Sequence, residues 1–222
     1  LDQEILDALK TDQFQLFYQP IVSTADGRIE AFEALLRWFH PEKGVIYPAE
    51  FIALAEELGS MELIDNWVIE EACKRLKTWK DNDILPVVIS VNVSPYRFLD
   101  RDFVKWISKI IKRCGCDARY LQLEINRANR ILDEEIAIAN LAKLKKTGIL
   151  LAIDNFAASN SNQVDSLTLL PVSSLKLDRK LINRILMKKD DDRLVGAVVK
   201  MAKDLGLHVV AEGVETQEQL DY

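Results

Sequence analysis

Segments typical of β-strands alternate with segments typical of amphipathic helices along most of the chain, and this alternation limits the fold more than any other feature. The strand candidates are extended apolar runs at residues 14–22, 29–38, 86–94, 120–126, 149–156, 174–178 and 208–214. The helical periodicity between them is found in FIALAEELGS, LIDNWVIEEACKRLKTW, DFVKWISKIIKRCG, EEIAIANLAKLKKTG and RLVGAVVKMAKDLG. Strands that alternate with helices form a parallel sheet, because each helix returns the chain to the same edge. The sequence therefore predicts an α/β fold.

The first two strands depart from this alternation. The DGR sequence at residues 26–28 suits a tight turn, so we predict that residues 14–22 and 29–38 pair as an antiparallel hairpin. Seven strands with helical crossovers in 222 residues nearly complete an eightfold barrel. We expect a TIM-like (β/α)8 barrel with one antiparallel strand and with its last βα unit absent or truncated. A doubly wound open sheet is the alternative.

Composition excludes several classes of partner. A net charge of −6 argues against DNA or RNA polymers, although a local basic pocket for a small phosphate ligand stays compatible with it. No apolar run reaches 18 residues and the N-terminus lacks a signal-peptide pattern, so we expect no direct membrane insertion in this segment. Three cysteines form no even disulfide framework, which favours a reducing, cytoplasmic setting.

Polar residues collect at the carboxyl ends of the predicted strands, where barrels build their sites. They are Glu33, Arg37, Asn92, Glu124, Asp154, Asn155, Lys176 and Glu212. Carboxylate and amide oxygens without His or thiolate are ligands for hard cations such as Mg²⁺, Mn²⁺ or Ca²⁺. The alternative is that each residue separately caps a helix or pairs with a neighbour. We favour a shared site, because acidic groups inside apolar strands are costly unless paired or metal-bound.

Eight segments in order resemble one family. They are YQPIV, FEALLRW, YPAEFIALAEELG, SVNVS, LQLEIN, AIDNF, LKLD and AEGVETQEQL. Together they resemble the EAL domain of bacterial cyclic di-GMP phosphodiesterases over essentially the whole chain. The resemblance implies a modified TIM barrel that hydrolyses cyclic di-GMP to linear pGpG with Mg²⁺ or Mn²⁺.

The resemblance also implies a role for each site residue. Glu33, Asn92, Glu124 and Asp154 match the family's metal ligands. Lys176 and Glu212 match the residues that orient and activate the attacking water, while Gln19 and Arg37 match contacts to the guanine and phosphate of the ligand. Simpler roles stay open: Gln19 as a strand-end hydrogen bonder, Arg37 in a surface ion pair and Lys176 as a partner for Asp154.

The segment DNFAASNSNQ departs from the family pattern Asp-Asp-Phe-Gly-Thr-Gly-Tyr-Ser-Ser-Leu. Asn155 replaces the carboxylate associated with the second metal, and both glycines of the loop are missing. Arg127 replaces the glutamate that the family uses to tether that loop. A neutral amide holds a hard divalent ion less well than a carboxylate does. We therefore expect one intact metal site and a compromised second one.

Three functions are compatible with one intact metal site and one compromised metal site. The first is an EAL domain that binds cyclic di-GMP with impaired or lost hydrolysis, and the second is a slow but active phosphodiesterase. The third is a protein-interaction module without nucleotide binding. We expect residues 1–222 to form a single EAL domain excised from a longer multidomain protein, such as the cytoplasmic part of a membrane-bound sensor. Family members often dimerise through the barrel, which leaves a homodimer open.

Overall fold

A computed structural model describes residues 2–84, 87–126, 131, 134–156, 167–185 and 189–222. Its centre is one curled, mostly parallel sheet. The strands are β1 (Phe14–Val22), β2 (Ile29–His40), β3 (Gly44–Ile46), β4 (Val88–Val93), β5 (Leu121–Ile125), β6 (Leu150–Phe156), β7 (Ser174–Leu177) and β8 (His208–Ala211). The seven predicted strands are therefore confirmed, and β3 is an additional short strand.

The strand order is β1-β2-β4-β5-β6-β7-β8, with β3 paired to the outer part of β2. β1 and β2 form the predicted antiparallel hairpin, while β2 and β4 through β8 run parallel. Within the described residues β1 and β8 are not paired, so the sheet is a half-barrel rather than a closed cylinder. The predicted TIM-like α/β fold with one antiparallel barrel strand is confirmed. All parallel carboxyl ends open on one rim.

Helices follow most of the parallel strands and cover the outside of the sheet. They are α1 (Asp2–Lys10), α2 (Pro48–Leu58), α3 (Met61–Asp81), α4 (Phe103–Cys114), α5 (Glu135–Lys146), α6 (Arg179–Ile182), α7 (Lys189–Asp204) and α8 (Gln217–Asp221). Two short 3-10 helices span Pro95–Leu99 and Ala118–Tyr120. None of the helices in the described ranges combines the length and the apolar character that a bilayer crossing requires.

Alternation along β2 separates the core from the site. Ala34, Leu36 and Trp38 are buried on the helix-facing side, where the Trp38 ring lies 5.5 Å from the ring of Phe51 on α2. The residues between them, including Glu33, point to the opposite side, because successive strand residues alternate faces. One strand thus packs its even-numbered residues into the apolar layer and presents odd-numbered residues to the barrel interior.

Candidate functional site

Lys176, on β7, lies at the centre of the rim formed by the carboxyl ends of the strands. Its Nζ is 2.8 Å from Glu33 Oε2, 2.8 Å from Glu124 Oε2, 2.7 Å from Glu212 Oε1 and 3.5 Å from Asp154 Oδ1. These carboxylates come from four different strands or strand ends, and they meet because the parallel strands share one rim. We call these five residues the Lys176 cluster. Its formation favours the shared site over separate caps or pairs.

The Lys176 cluster carries more negative than positive charge in a buried setting. Burial raises the pKa of Glu124 to about 8, despite the opposing effect of Lys176. Burial likewise raises the pKa of Asp154 and of Glu212. Burial alone would lower the pKa of Lys176, but the surrounding carboxylates outweigh burial and raise that pKa above its usual value. One ammonium therefore only partly neutralises the carboxylates, and a further cation would be electrostatically favoured there.

Three asparagines extend the cluster across the rim. Asn92 Nδ2 donates to Glu33 Oε1 at 3.0 Å, and Asn126 Nδ2 donates to Asn92 Oδ1 at 2.6 Å. Asn155 Nδ2 donates to Asn126 Oδ1 at 2.8 Å and to Asp154 Oδ2 at 2.6 Å. Asn126 was not among the predicted site residues, although it stands directly after the β5 strand, two positions beyond Glu124. The side chain of Asn155 thus acts as a hydrogen-bond donor toward both neighbours.

Asp154 offers the clearest test of whether these residues suit a metal ion. Its Oδ2 accepts the bond from Asn155, whereas its Oδ1 is buried without a hydrogen-bond partner. A buried acceptor without a partner is costly, and a hard cation is one group that would satisfy it. In the geometry described, no three His, Cys, Asp or Glu side chains are arranged to hold a metal, and the carboxylates turn toward Lys176. The oxygen donors suit a divalent cation by their chemistry, but they would have to turn from Lys176 to ligate one, and Asp154 Oδ1 is the donor that gives up no hydrogen bond by doing so.

A layer of polar side chains lies below the cluster, two residues nearer the amino ends of the strands. Ser90 Oγ donates to Glu124 Oε1 at 2.5 Å and accepts from Gln122 Nε2 at 2.9 Å. Ser174 Oγ donates to Gln122 Oε1 at 2.9 Å. Each of these residues precedes a site residue on its own strand by two positions, so period-two alternation could have found them. This layer fixes the Glu124 carboxylate from beneath.

Gln19 and Arg37 occupy different places relative to the cluster. Gln19 is directly opposite Glu33 in the β1–β2 register. Arg37 lies on the same face of β2 as Glu33 but four residues nearer its carboxyl end. Its guanidinium carbon is 5.0 Å from the ring centroid of Tyr47 and 6.0 Å from that of Phe17, and its Nη1 donates to a backbone carbonyl. The aromatic rings thus hold Arg37 in place, and no carboxylate in the described part of the chain pairs with it.

A cleft of about 1150 Å³ opens above the cluster. Among its lining residues are the predicted site residues Gln19, Glu33, Asn92, Asp154, Asn155, Lys176 and Glu212. Glu124 is 0% exposed and lies beneath the cleft, and Arg37 is not part of its lining. This volume is large enough for a drug-sized or nucleotide-sized ligand.

Asp65, on α3, also lines the cleft and was missed from the sequence. Both of its carboxylate oxygens lie 3.3 Å from the backbone N–H of Ser94, which donates to them. Burial raises the pKa of Asp65 to about 7, although Ser94 and Arg97 both oppose that shift. An acidic residue near the start of an amphipathic helix gives no signal that it will be buried.

Part of the predicted departure from the family pattern cannot be compared with the structure. Arg127 and residues 157–163 lie outside the described residues. Asn155 is described, with a backbone φ of +54°, at the irregular step where β6 loses register with β7. Asn is one of the few residue types that tolerates this left-handed conformation.

Comparison with known proteins identifies the same family along the whole chain. The EAL domain model matches residues 2–222. The bifunctional diguanylate cyclase/cyclic di-GMP phosphodiesterase MucR of Pseudomonas aeruginosa is 35% identical over 219 residues, covering 99% of this chain and 32% of MucR. The cyclic di-GMP phosphodiesterase NbdA of the same bacterium is 34% identical over 222 residues, covering 100% of this chain and 28% of NbdA. The chain thus spans about a third or less of these relatives.

Solved structures agree with the sequence comparison. The PaMucR phosphodiesterase in complex with c-di-GMP matches with a TM-score of 0.90 and 35% identity. The match covers 99% of this chain and 88% of that one. The fold of this chain is therefore that of a structure solved in complex with c-di-GMP.

Proposed function

The chain belongs to the EAL domain family of cyclic di-GMP signalling, and from that premise we propose that it binds cyclic di-GMP with impaired or lost hydrolysis to pGpG. The ligand would occupy the cleft above the Lys176 cluster. The observation that carries this proposal is the pair of neighbours at the end of β6. Asp154 Oδ1 is buried, accepts no hydrogen bond and faces the Lys176 ammonium at 3.5 Å, whereas Asn155 donates from its amide nitrogen to Asp154 and Asn126.

EAL phosphodiesterases depend on divalent metal ions, and one such ion suits this site. Glu33, Asn92, Glu124 and Asp154 would hold a single Mg²⁺ or Mn²⁺. When bound, the ion would polarise the phosphoryl group and favour ionisation of a water molecule. A second ion would rely on Asn155, whose amide is neutral and turns its nitrogen, rather than its oxygen, toward Asp154. Losing a charged ligand in this way would lower the hydrolysis rate by roughly two or more orders of magnitude.

The remaining residues have their own tasks in the hydrolysis. In that reaction a water oxygen bonds to phosphorus while the bond from phosphorus to the 3′ oxygen breaks. The 3′ oxygen takes up a proton to become a hydroxyl, and one phosphodiester becomes a terminal phosphate monoester. Glu212 is 29% exposed, more than its partners in the Lys176 cluster, and this exposure supports our assignment of Glu212 as the base that takes the proton from that water. The ammonium of Lys176 orients Glu212 at 2.7 Å and offsets the charge of the phosphate.

Ligand binding would be less affected than turnover. Arg37 presents a planar guanidinium that can pair with phosphate oxygens, and Gln19 lies opposite Glu33 at the edge of the cleft. Both contacts are made in the ground state of the ligand and do not need the second ion. A domain with these residues intact can bind cyclic di-GMP and transmit its presence by conformation.

A slow but active phosphodiesterase is the second candidate. The names of MucR and NbdA describe phosphodiesterase activity, and both match this chain along its whole length. Three of the four proposed ligands for one ion lie with Glu212 in the Lys176 cluster, and the fourth, Asn92, donates to Glu33. Mn²⁺ would support this slow activity better than Mg²⁺ if its looser coordination tolerates the amide.

A calorimetric titration with cyclic di-GMP, with and without Mn²⁺, followed by a pGpG assay separates the candidates. Saturable binding with no product above the protein-free control supports binding with lost hydrolysis. Product that accumulates at a rate proportional to protein concentration supports the slow enzyme. Absence of any binding heat, both with and without Mn²⁺, would reject nucleotide binding and leave the protein-interaction module.

A further inference from the structure

We infer that Asn126 is a positioning residue that locks the amides of Asn92 and Asn155 into one direction, so that Asn155 turns its nitrogen, and not its ligand oxygen, toward Asp154. This inference deepens the proposed function and rests on it only where cation binding is measured. The hydrogen bonds themselves are a property of the protein without any ligand. We call the three asparagines the amide relay.

The direction of the amide relay is fixed by the carboxylates at its two ends. At one end, Asn92 donates its Nδ2 to Glu33 Oε1 at 3.0 Å. At the other end, Asn155 donates its Nδ2 to Asp154 Oδ2 at 2.6 Å. An ionised carboxylate only accepts hydrogen bonds, so both terminal amides must turn their nitrogens outward toward the acids.

Asn126 is the residue that joins these two ends. The oxygen of Asn92 is left facing Asn126, which donates to it at 2.6 Å. The oxygen of Asn126 is left facing Asn155, which donates to it at 2.8 Å. Every donor in the relay therefore meets an acceptor, and reversing any one amide would place two acceptors or two donors against each other.

The relay has a direct consequence for Asp154. Because Asn155 saturates Asp154 Oδ2, only Oδ1 remains buried without a hydrogen-bond partner. The two oxygens of Asp154 thus differ, because Oδ2 accepts from Asn155 while Oδ1 faces the Lys176 ammonium at 3.5 Å. The relay also links the carboxyl ends of β4, β5 and β6.

The relay predicts that Asn155→Asp alone does not rebuild a second cation ligand. A carboxylate at that position would bring acceptor oxygens against both Asn126 Oδ1 and Asp154 Oδ2. Asn126→Thr removes the first of these conflicts, because a hydroxyl can rotate to donate instead of accept. The two substitutions should therefore be strongly non-additive, as expected for residues in one hydrogen-bond network.

A double-mutant cycle of wild type, Asn155→Asp, Asn126→Thr and the double variant tests this coupling with two readouts. The first is the thermal unfolding midpoint in EDTA, which needs no ligand. We expect Asn155→Asp to lower the midpoint by at least about 2 °C more in the wild-type background than in the Asn126→Thr background. The second is Mn²⁺ affinity, which should rise at least about threefold more with Asn155→Asp when Asn126→Thr is also present.

Asn82→Thr serves as the matched control, because Asn82 is exposed at the end of α3 and bonds only to Thr78 O in the recorded contacts. Its cycle with Asn155→Asp should be additive. Asn126→Ser replaces Asn126→Thr if the latter does not fold.

The relay is overturned if the effects of the Asn126 and Asn155 substitutions on the thermal unfolding midpoint are additive. It is also overturned if their effects on Mn²⁺ affinity are additive in proteins that bind Mn²⁺. Failure of all four proteins to bind Mn²⁺ would instead count against the proposed function, and the thermal cycle would still decide the relay.

Discussion

Lys176 Nζ lies 2.8 Å from Glu124 Oε2 in a position sealed from solvent, since the two side chains are 1% and 0% exposed. Such a pair is poor evidence for net stability, because removing both charges from water costs about as much as their attraction returns. Removing only one partner is different, because the other charge stays buried. A substitution that removes one charge of the pair should therefore change both the stability of the fold and the electrostatics of the site.

Substituting Lys176→Met should destabilise the protein by about 3–5 kcal/mol in urea unfolding with EDTA present, because buried carboxylates lose their cation. Added Mn²⁺ should reduce this loss by supplying positive charge to the same carboxylates. Lys200→Met is the matched control, since Lys200 forms an exposed ion pair with Asp204. Equal effects of the two substitutions would contradict the central role of Lys176.

Ser90→Ala should affect both stability and cation binding. Ser90 is 0% exposed and bonds to both Glu124 and Gln122. Its loss leaves a buried partner unsatisfied, which should lower the free energy of unfolding by about 1–3 kcal/mol. It should also weaken Mn²⁺ binding by about 10-fold or more, as loss of a group that orients a ligand does. Ser108→Ala, at an exposed serine on α4, should change neither quantity.

Stability should depend on pH through Asp65. Its pKa rises from 3.8 to about 7 on folding, so the folded protein keeps this proton over a range where the unfolded chain releases it. The contribution of this proton to the free energy of unfolding is fully present below about pH 4 and is lost as pH rises to about 7. The change is about 4 kcal/mol, at about 1.4 kcal/mol per pKa unit.

Asp65→Asn should remove that dependence. Urea unfolding at intervals from pH 4 to pH 8 should show a difference in stability between wild type and Asp65→Asn that grows in favour of the variant as pH rises. Asp204→Asn, at an exposed position, should keep the wild-type slope. Parallel pH profiles for wild type and Asp65→Asn would show that Asp65 titrates at its ordinary pKa.

Arg37→Ala should weaken cyclic di-GMP binding by about 10-fold to 100-fold, the typical effect of losing a hydrogen bond to a charged group. Tyr47 and Phe17 hold the guanidinium by stacking, so little reorganisation is needed when phosphate arrives. Arg28→Ala is the control, because Arg28 is 85% exposed in the β1–β2 turn. Calorimetry that finds unchanged affinity for Arg37→Ala would remove Arg37 from the ligand site.

The sequence was most informative where period-two and helical patterns were long. The hairpin of β1 and β2 followed from two apolar strands around a short turn, and the parallel strands followed from the alternation with helices. β3 was missed because the three residues Gly44–Ile46 are too few to show a period. Its pairing depends on the length of β2, which continues to His40 beyond the predicted end.

Within the site, strand ends predicted which carboxylates would meet, because parallel strands share a rim. The positions of the strand ends did not predict that Lys176 would contact all four acids, because the sequence around a single lysine on a short strand does not indicate its partners. Asn126 and Asp65 were missed for a related reason. Their roles depend on distances to Asn155 and Ser94, which lie about 30 residues away along the chain.

The number of Mn²⁺ ions bound per chain, with cyclic di-GMP in excess, tests the single-cation site most directly. Equilibrium dialysis or Mn²⁺ electron paramagnetic resonance measures it, and pGpG should be assayed in the same samples. We predict one tightly bound Mn²⁺ per chain, through Glu33, Asn92, Glu124 and Asp154, with little or no pGpG formed. Two tightly bound ions with rapid pGpG formation would contradict it, and so would no bound ion at all.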